Sequence, residues 1–320
     1  MYREARKALI IGIDDYPCSP LKGCVSDAVK LSKLLKSHYD GKPNFETKTL
    51  LSSNGKIEKK LLKEEIENLF SGSPVIALLY FAGHGYLNSY GGYLVTQDFD
   101  RYDEGVSMDE IMRCANESEA QNKVIILDCC YSGRLAAPRL VNRKVSELAD
   151  GVTILTSCQA TETAQENNKK GIFSSLLLDA IDGQCADLTG NILPSNIYAY
   201  IDRTLGQWGG QRPIFKTNVS AFISLKEVEP LIELSVLRKI ITYFSDRDAE
   251  YPLDPGYEFT EPAADDKCVA IFKELQKMEG VGLVAPVGEE HMYYAAINSK
   301  SCRLTNLGKQ YWSLIKLEKV

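Results

Sequence analysis

The stretch Pro74-Val75-Ile76-Ala77-Leu78-Leu79-Tyr80-Phe81, followed at once by Ala82-Gly83-His84-Gly85, decides how this chain folds. Its first eight residues are apolar without a break, where a half-exposed strand would alternate apolar and polar positions. Such continuity marks a strand buried on both faces. Four further runs read as strands: 7–14 (KALIIGID), 46–51 (ETKTLL), 123–128 (KVIILD) and 151–157 (GVTILTS). Helical spacing lies between them, over 24–38 with Val25, Ala28, Leu31 and Leu35 on one face, then over 57–70, 173–181 and 193–205. Strands alternating with helices predict an α/β fold of three layers, its mostly parallel central sheet covered on both sides.

The pattern changes near residue 225. Helices are expected over 230–244 and 265–278, hairpin strands over 282–287 and 292–297, and a last helix over 306–317. The Pro-, Gly- and acid-rich stretch 251–266 reads as a loop. With 320 residues, two domains are expected, 1–225 and 226–320. Net charge is −6, so no global field draws the chain to nucleic acid or anionic lipid. No run approaches the ~20 apolar residues of a membrane helix. The apolar segment 8–13 is too short for a signal-peptide core, so a cytosolic location is expected. Nine scattered cysteines without a CxxC pair, and only three histidines, argue against a disulfide framework or a zinc site.

Two strand ends carry the chemistry. The run 74–81 ends in Gly83-His84-Gly85, and 123–128 in Cys129-Cys130-Tyr131-Ser132-Gly133. In an open parallel sheet, functional groups gather at the carboxyl ends of the strands. Neighbouring strands would bring His84 and Cys130 face to face. A thiol beside an imidazole loses its proton at neutral pH and becomes a nucleophile. The backbone N–H groups of Gly85 and Cys130 are candidates for holding an oxyanion. Cys24 is the rival nucleophile, with no histidine expected near it.

YFAGHG and ILDCCYSG, their His84 and Cys130 46 residues apart, resemble the paired motifs of caspase-like peptidases, and of their metacaspase-like branch most closely. The resemblance spans residues 7–222, including 21–28 (LKGCVSDA) and 156–162 (TSCQATE). It implies a caspase-like fold and a cysteine endopeptidase with His84 as base and Cys130 as nucleophile; Cys129 stands at a position that varies in the family. Relatives that cut after aspartate carry glutamine two residues before the nucleophile, where this chain has Asp128. Asp27 lies in a segment similar to one that helps form the S1 pocket of metacaspases. Two carboxylates there would favour Arg, then Lys, and repel an acidic P1 side chain. The alternative is that Asp27 is a helix-surface acid and Asp128 a strand-end cap.

The resemblance also raises calcium as a possible cofactor. Residues 97–104 (QDFDRYDE) hold four acids but lack the alternation, central glycine and closing glutamate of an EF-hand loop, so a solvated acidic loop is expected and no metal site is assigned. Between the fourth and fifth strands, where the family separates its subunits, Arg134, Arg139, Arg143 and Lys144 are either self-cleavage sites or residues of an uncut surface loop. Residues 226–320 resemble a winged-helix module of α+β type. They carry 12 Lys/Arg against 16 Asp/Glu, which disfavours a DNA-bound regulator and favours a protein-interaction adaptor. A role as a triggered effector in antiviral defence is implied by the resemblance alone, and an inactive homologue serving as an interaction protein is the other reading.

Overall fold

A computed structural model describes residues 5–100, 103–131, 148–157, 171–206 and 213–320, with backbone alone at Cys130 and Tyr131. The chain forms two compact units, one of Met1–Ala186 with Asn191–Val228, the other of Asp187–Gly190 with Glu229–Val320.

In the first unit, in chain order, are β1 (Arg6–Gly12), α1 (Cys24–Leu35), β2 (Glu46–Leu51), α2 (Lys59–Phe70), β3 (Ile76–Leu87), β4 (Gly92–Leu94), β5 (Val106–Ser107), α3 (Met108–Glu117), β6 (Asn122–Tyr131), β7 (Val152–Thr156), α4 (Ile172–Asp179), β8 (Asn191–Ile192), α5 (Pro194–Gly206), β9 (Ile214–Asn218) and β10 (Lys226–Glu227). The main sheet runs β2-β1-β3-β6-β7-β9. Its first five strands are parallel, β9 returns antiparallel on β7, and β4 folds back antiparallel on the end of β3.

Successive residues of the central strands feed opposite faces, as the pleat requires. Leu9, Ile11, Leu79, Phe81, Ile125 and Leu127 pack with Leu62 and Ile66 of α2 and Ile111 of α3. Ile10, Leu78, Tyr80, Val124 and Ile126 pack with Leu31 of α1, Leu177 of α4 and Ile197 of α5. Each such fully buried aliphatic side chain contributes about 1.5–3 kcal/mol over its exposed state. The unbroken apolar runs are therefore double-sided core. A Cβ at Gly12 would lie 2.5 Å from the Cys24 carbonyl oxygen, so glycine there lets the start of α1 close onto the end of β1.

The second unit holds α6 (Leu234–Leu237), α7 (Ile240–Tyr243), β11 (Glu250–Pro252), α8 (Asp266–Gly280), β12 (Val284–Val287), α9 (Met292–Ile297), β13 (Ser301–Leu304) and α10 (Asn306–Lys316), around an antiparallel sheet β11-β13-β12. Two local expectations are corrected. Residues 292–297 form a helix, because Met292, Ala295 and Ala296 bury together at helical spacing. The strand that pairs with β12 is instead β13. Residues 230–244 give two single-turn helices in place of one long helix. Among the described residues no helix is long and apolar enough to cross a membrane.

Candidate active site

The ladder between β3 and β6 extends past both apolar cores and pairs His84 with Cys130 and Gly85 with Tyr131. Paired Cα positions of adjacent strands are about 5 Å apart. The two motifs that stood out in the sequence thus meet at the carboxyl edge of the sheet. Cys129, one residue earlier, is buried in the core on the α2–α3 side.

His84 is held from several directions. Its N–H donates to the Tyr16 hydroxyl (3.0 Å), and Tyr16 O–H donates to the Val95 carbonyl (3.0 Å). The Val95 N–H in turn donates to the His84 carbonyl (3.0 Å). One phenol thus fills the gap where β3 leaves β1 and β4 begins. Burial pushes the Tyr16 phenol far up, so it remains a donor. The Tyr16 and His84 rings lie with centroids 4.6 Å apart.

The His84 imidazole Nε2 is 2.7 Å from the Ser19 carbonyl oxygen. A carbonyl only accepts, so Nε2 bears the proton and the lone pair of the neutral ring is on Nδ1. Ser19 is carried by the loop between β1 and α1. That loop is closed by Asp14, whose carbonyl accepts the Leu21 N–H (2.8 Å) and whose carboxylate accepts the N–H groups of Cys24 (2.9 Å) and Val25 (3.2 Å) at the start of α1. Ser19, Tyr16 and Asp14 were missed from sequence. The apolar strand running into Asp14-Asp15-Tyr16 was the available signal for two of them, but a backbone acceptor has no side-chain signature.

Asp128, in β6, and Asp27, in the first turn of α1, come within each other's electrostatic reach. Burial pushes the Asp128 carboxyl up despite hydrogen bonds that favour its charged form, and the charge of Asp27 adds to the rise. Burial raises Asp27 as well, countered in part by Lys30 and increased by Asp14. Ser174 O–H donates to Asp128 Oδ2 at 2.5 Å. The rival nucleophile, Cys24, stands among these acids. Burial, then Asp14 and Asp128, push its thiol far up, which keeps it protonated at neutral pH.

Both candidate oxyanion donors, Gly85 and Cys130, lie in the final rungs of the β3–β6 ladder. Asn122 N–H donates to the Val75 carbonyl (3.0 Å), which fixes the phase of the β3–β6 ladder. At its other end the ladder closes with the pairs His84–Cys130 and Gly85–Tyr131.

The acids of 97–104 have local partners. Asp98 accepts the Lys59 N–H at the start of α2 (3.1 Å), and Asp103 pairs with Lys59 Nζ (2.5 Å). No cluster of three or more His, Cys, Asp or Glu residues suited to a metal occurs among the described residues. Arg134, Arg139, Arg143 and Lys144 lie outside the described residues, as does the 158–162 part of the family resemblance.

A family model of the caspase domain matches residues 5–205. Among solved structures, caspase-1 from Spodoptera frugiperda superposes with a TM-score of 0.52 at 14% identity, covering 72% of this chain and 93% of that one. A protein from Geobacter sulfurreducens gives 0.52 at 16% identity, covering 70% of this chain and 100% of that one. No curated protein matches the sequence. At these identities the structural likeness speaks for the fold.

Proposed function

The chain belongs to the caspase-domain family of cysteine peptidases, and from that premise we propose that it is an endopeptidase cleaving after arginine, and less readily lysine, with Cys130 as nucleophile and His84 as base. The observation that carries this reading is the register pair His84–Cys130 at the open edge of the sheet.

In the proposed reaction His84 Nδ1 takes the thiol proton of Cys130, and the sulfur attacks the scissile carbonyl carbon. The Ser19 carbonyl holds the opposite ring nitrogen, orients the imidazole and stabilises the imidazolium that forms. The imidazolium then protonates the departing amine as the C–N bond breaks, leaving a thioester. Water, deprotonated by the same Nδ1, attacks the thioester carbonyl, and release of the acid restores the thiol. The N–H groups of Gly85 and Cys130 stabilise the oxyanion that forms on the scissile carbonyl.

Asp128 and Asp27 supply negative charge for the P1 guanidinium or ammonium, and their mutual electrostatic reach supports that role. For the second unit we favour a protein-binding role, supported by its excess of acidic over basic residues. Calcium is no part of the proposed chemistry.

The test is a panel of fluorogenic peptides with Arg, Lys or Asp at P1, given to the parent protein and to Cys130→Ala and His84→Ala, with and without calcium. Arg cleavage that is lost in both variants is expected. Preferred cleavage after Asp would overturn the specificity while leaving the nucleophile in place, and full activity of Cys130→Ala would overturn the mechanism.

A further inference from the structure

Behind Asp128 lies a pair of hydroxyls that the reaction above does not use. Tyr80 of β3 and Ser174 of α4 are sealed in the core, 1% and 0% exposed. Their oxygens are 2.6 Å apart, and Ser174 Oγ is 2.5 Å from Asp128 Oδ2. A serine hydroxyl carries one proton. Ser174 spends its proton on the carboxylate, so Tyr80 must donate to Ser174. The result is a directed chain, Tyr80 O–H to Ser174 Oγ and Ser174 O–H to Asp128 Oδ2.

Burying two hydroxyls is costly unless both are satisfied, and an Ala–Phe pair would pack the same space without that cost. What the hydroxyls supply is an oriented donor at one carboxylate oxygen. The terminal torsion of aspartate is broad, so a short, oriented donor on Oδ2 narrows the range of the carboxylate plane beyond what its other hydrogen bonds set. Burial and the neighbouring charge of Asp27 both work against the ionised form of Asp128, and hydrogen bonds from the Ser174 side chain, the Ser157 side chain and the Ser174 backbone work for it. Charged or titratable groups facing it are Asp27 and Cys24 from α1 and Tyr80 from β3.

We propose that Ser174, backed by Tyr80, is a specificity-determining positioning residue: it anchors Asp128 through Oδ2 and turns Oδ1 toward the cationic P1 side chain of the substrate. The inference deepens the S1 assignment and rests on it. Tyr80 and Ser174 come from different elements, 94 residues apart, so neither half is visible in the nucleophile motif.

The experiment compares the full-length parent with Ser174→Ala and Tyr80→Phe on matched peptides bearing P1 arginine or its neutral near-isostere citrulline. Ser174→Ala should raise KM for the arginine peptide about tenfold, the scale of one hydrogen bond to a charged group, with kcat within about twofold and citrulline cleavage unchanged. Tyr80→Phe should shift the same ratio less, in the same direction. If Ser174→Ala does not fold, Ser174→Cys, similar in size with a weak S–H donor, carries the test with the same expectation. An arginine-to-citrulline ratio kept by these variants, or equal losses on both peptides, would overturn the positioning role alone. A parent enzyme indifferent to the P1 charge would overturn the S1 assignment and this inference with it.

Discussion

His84 and Cys130 are register partners across the parallel ladder of β3 and β6. Two strands far apart in the chain therefore bring the backbone of residues 84 and 130 to neighbouring points of one sheet edge. The Ser19 carbonyl on Nε2 leaves Nδ1 as the basic nitrogen. The consequences of this arrangement can be measured one residue at a time.

Tyr16→Phe removes the hydroxyl that accepts from the His84 N–H and donates to the Val95 carbonyl. Both partners are left without it, at a cost of about 1–3 kcal/mol in stability. Because one of them is the backbone of His84, kcat should fall about tenfold, a loss of about 1.4 kcal/mol in transition-state stabilisation. Denaturant unfolding and steady-state kinetics check the two effects separately. A stability loss without any loss of kcat would show that the phenol is only a core residue.

Gly83→Ala tests the crowding behind the histidine. The added Cβ would lie 2.5 Å from the Tyr16 hydroxyl and 3.0 Å from the Phe81 ring. Overpacking of this kind costs about 1–3 kcal/mol, and relief requires β3 or Tyr16 to move. Lower Tm together with lower kcat is expected, whereas a variant indistinguishable from the parent would mean that the strand end yields freely.

Asp128→Asn should separate stability from activity. The Asp128 carboxyl is raised above its ordinary range by burial, so the unfolded chain gives up this proton at lower pH than the folded protein does. The favourable contribution of the protonated group is complete below about pH 4 and is lost as pH rises through the raised folded value. Asparagine does not ionise and still accepts from Ser174. Its Tm should exceed that of the parent at pH 7 and match it near pH 3.5, while cleavage after arginine falls sharply. Thermal melts across that range check the sign.

Cys24→Ser should keep cleavage within about twofold of the parent. Its thiol is held protonated by burial and by Asp14 and Asp128, and serine preserves the N–H that Asp14 accepts. Activity lost here and kept in Cys130→Ala would transfer the nucleophile to α1.

The parallel strands were legible in the sequence because both of their faces are core, which writes continuous apolar runs such as 74–81. Met292–Ile297 misled because Met, Tyr, Ala and Ile suit either a strand or a short helix, and only the joint burial of Met292, Ala295 and Ala296 decides it. The short strands β4 and β5 and the helix α3 escaped notice: two are only two or three residues long, and α3 shows its Ile111, Met112 and Ala115 face amid charge. At the candidate site, His84 and Cys130 stood out in the sequence because each sits in a motif at the end of an apolar run, and the register pairs them. Ser19 acts through a carbonyl and Ser174 through a contact 46 residues distant in sequence from Asp128. Such roles exist only once the chain is folded.

The central claim is tested most directly by treating the full-length protein with an arginine-directed chloromethylketone and mapping the adduct by peptide mass spectrometry. The account predicts one adduct, on Cys130, formed rapidly by the parent and at least a hundredfold more slowly by His84→Ala, within the usual range for loss of a general base. Alkylation of Cys24 or another residue in place of Cys130, or labelling of Cys130 at an equal rate without His84, would contradict it.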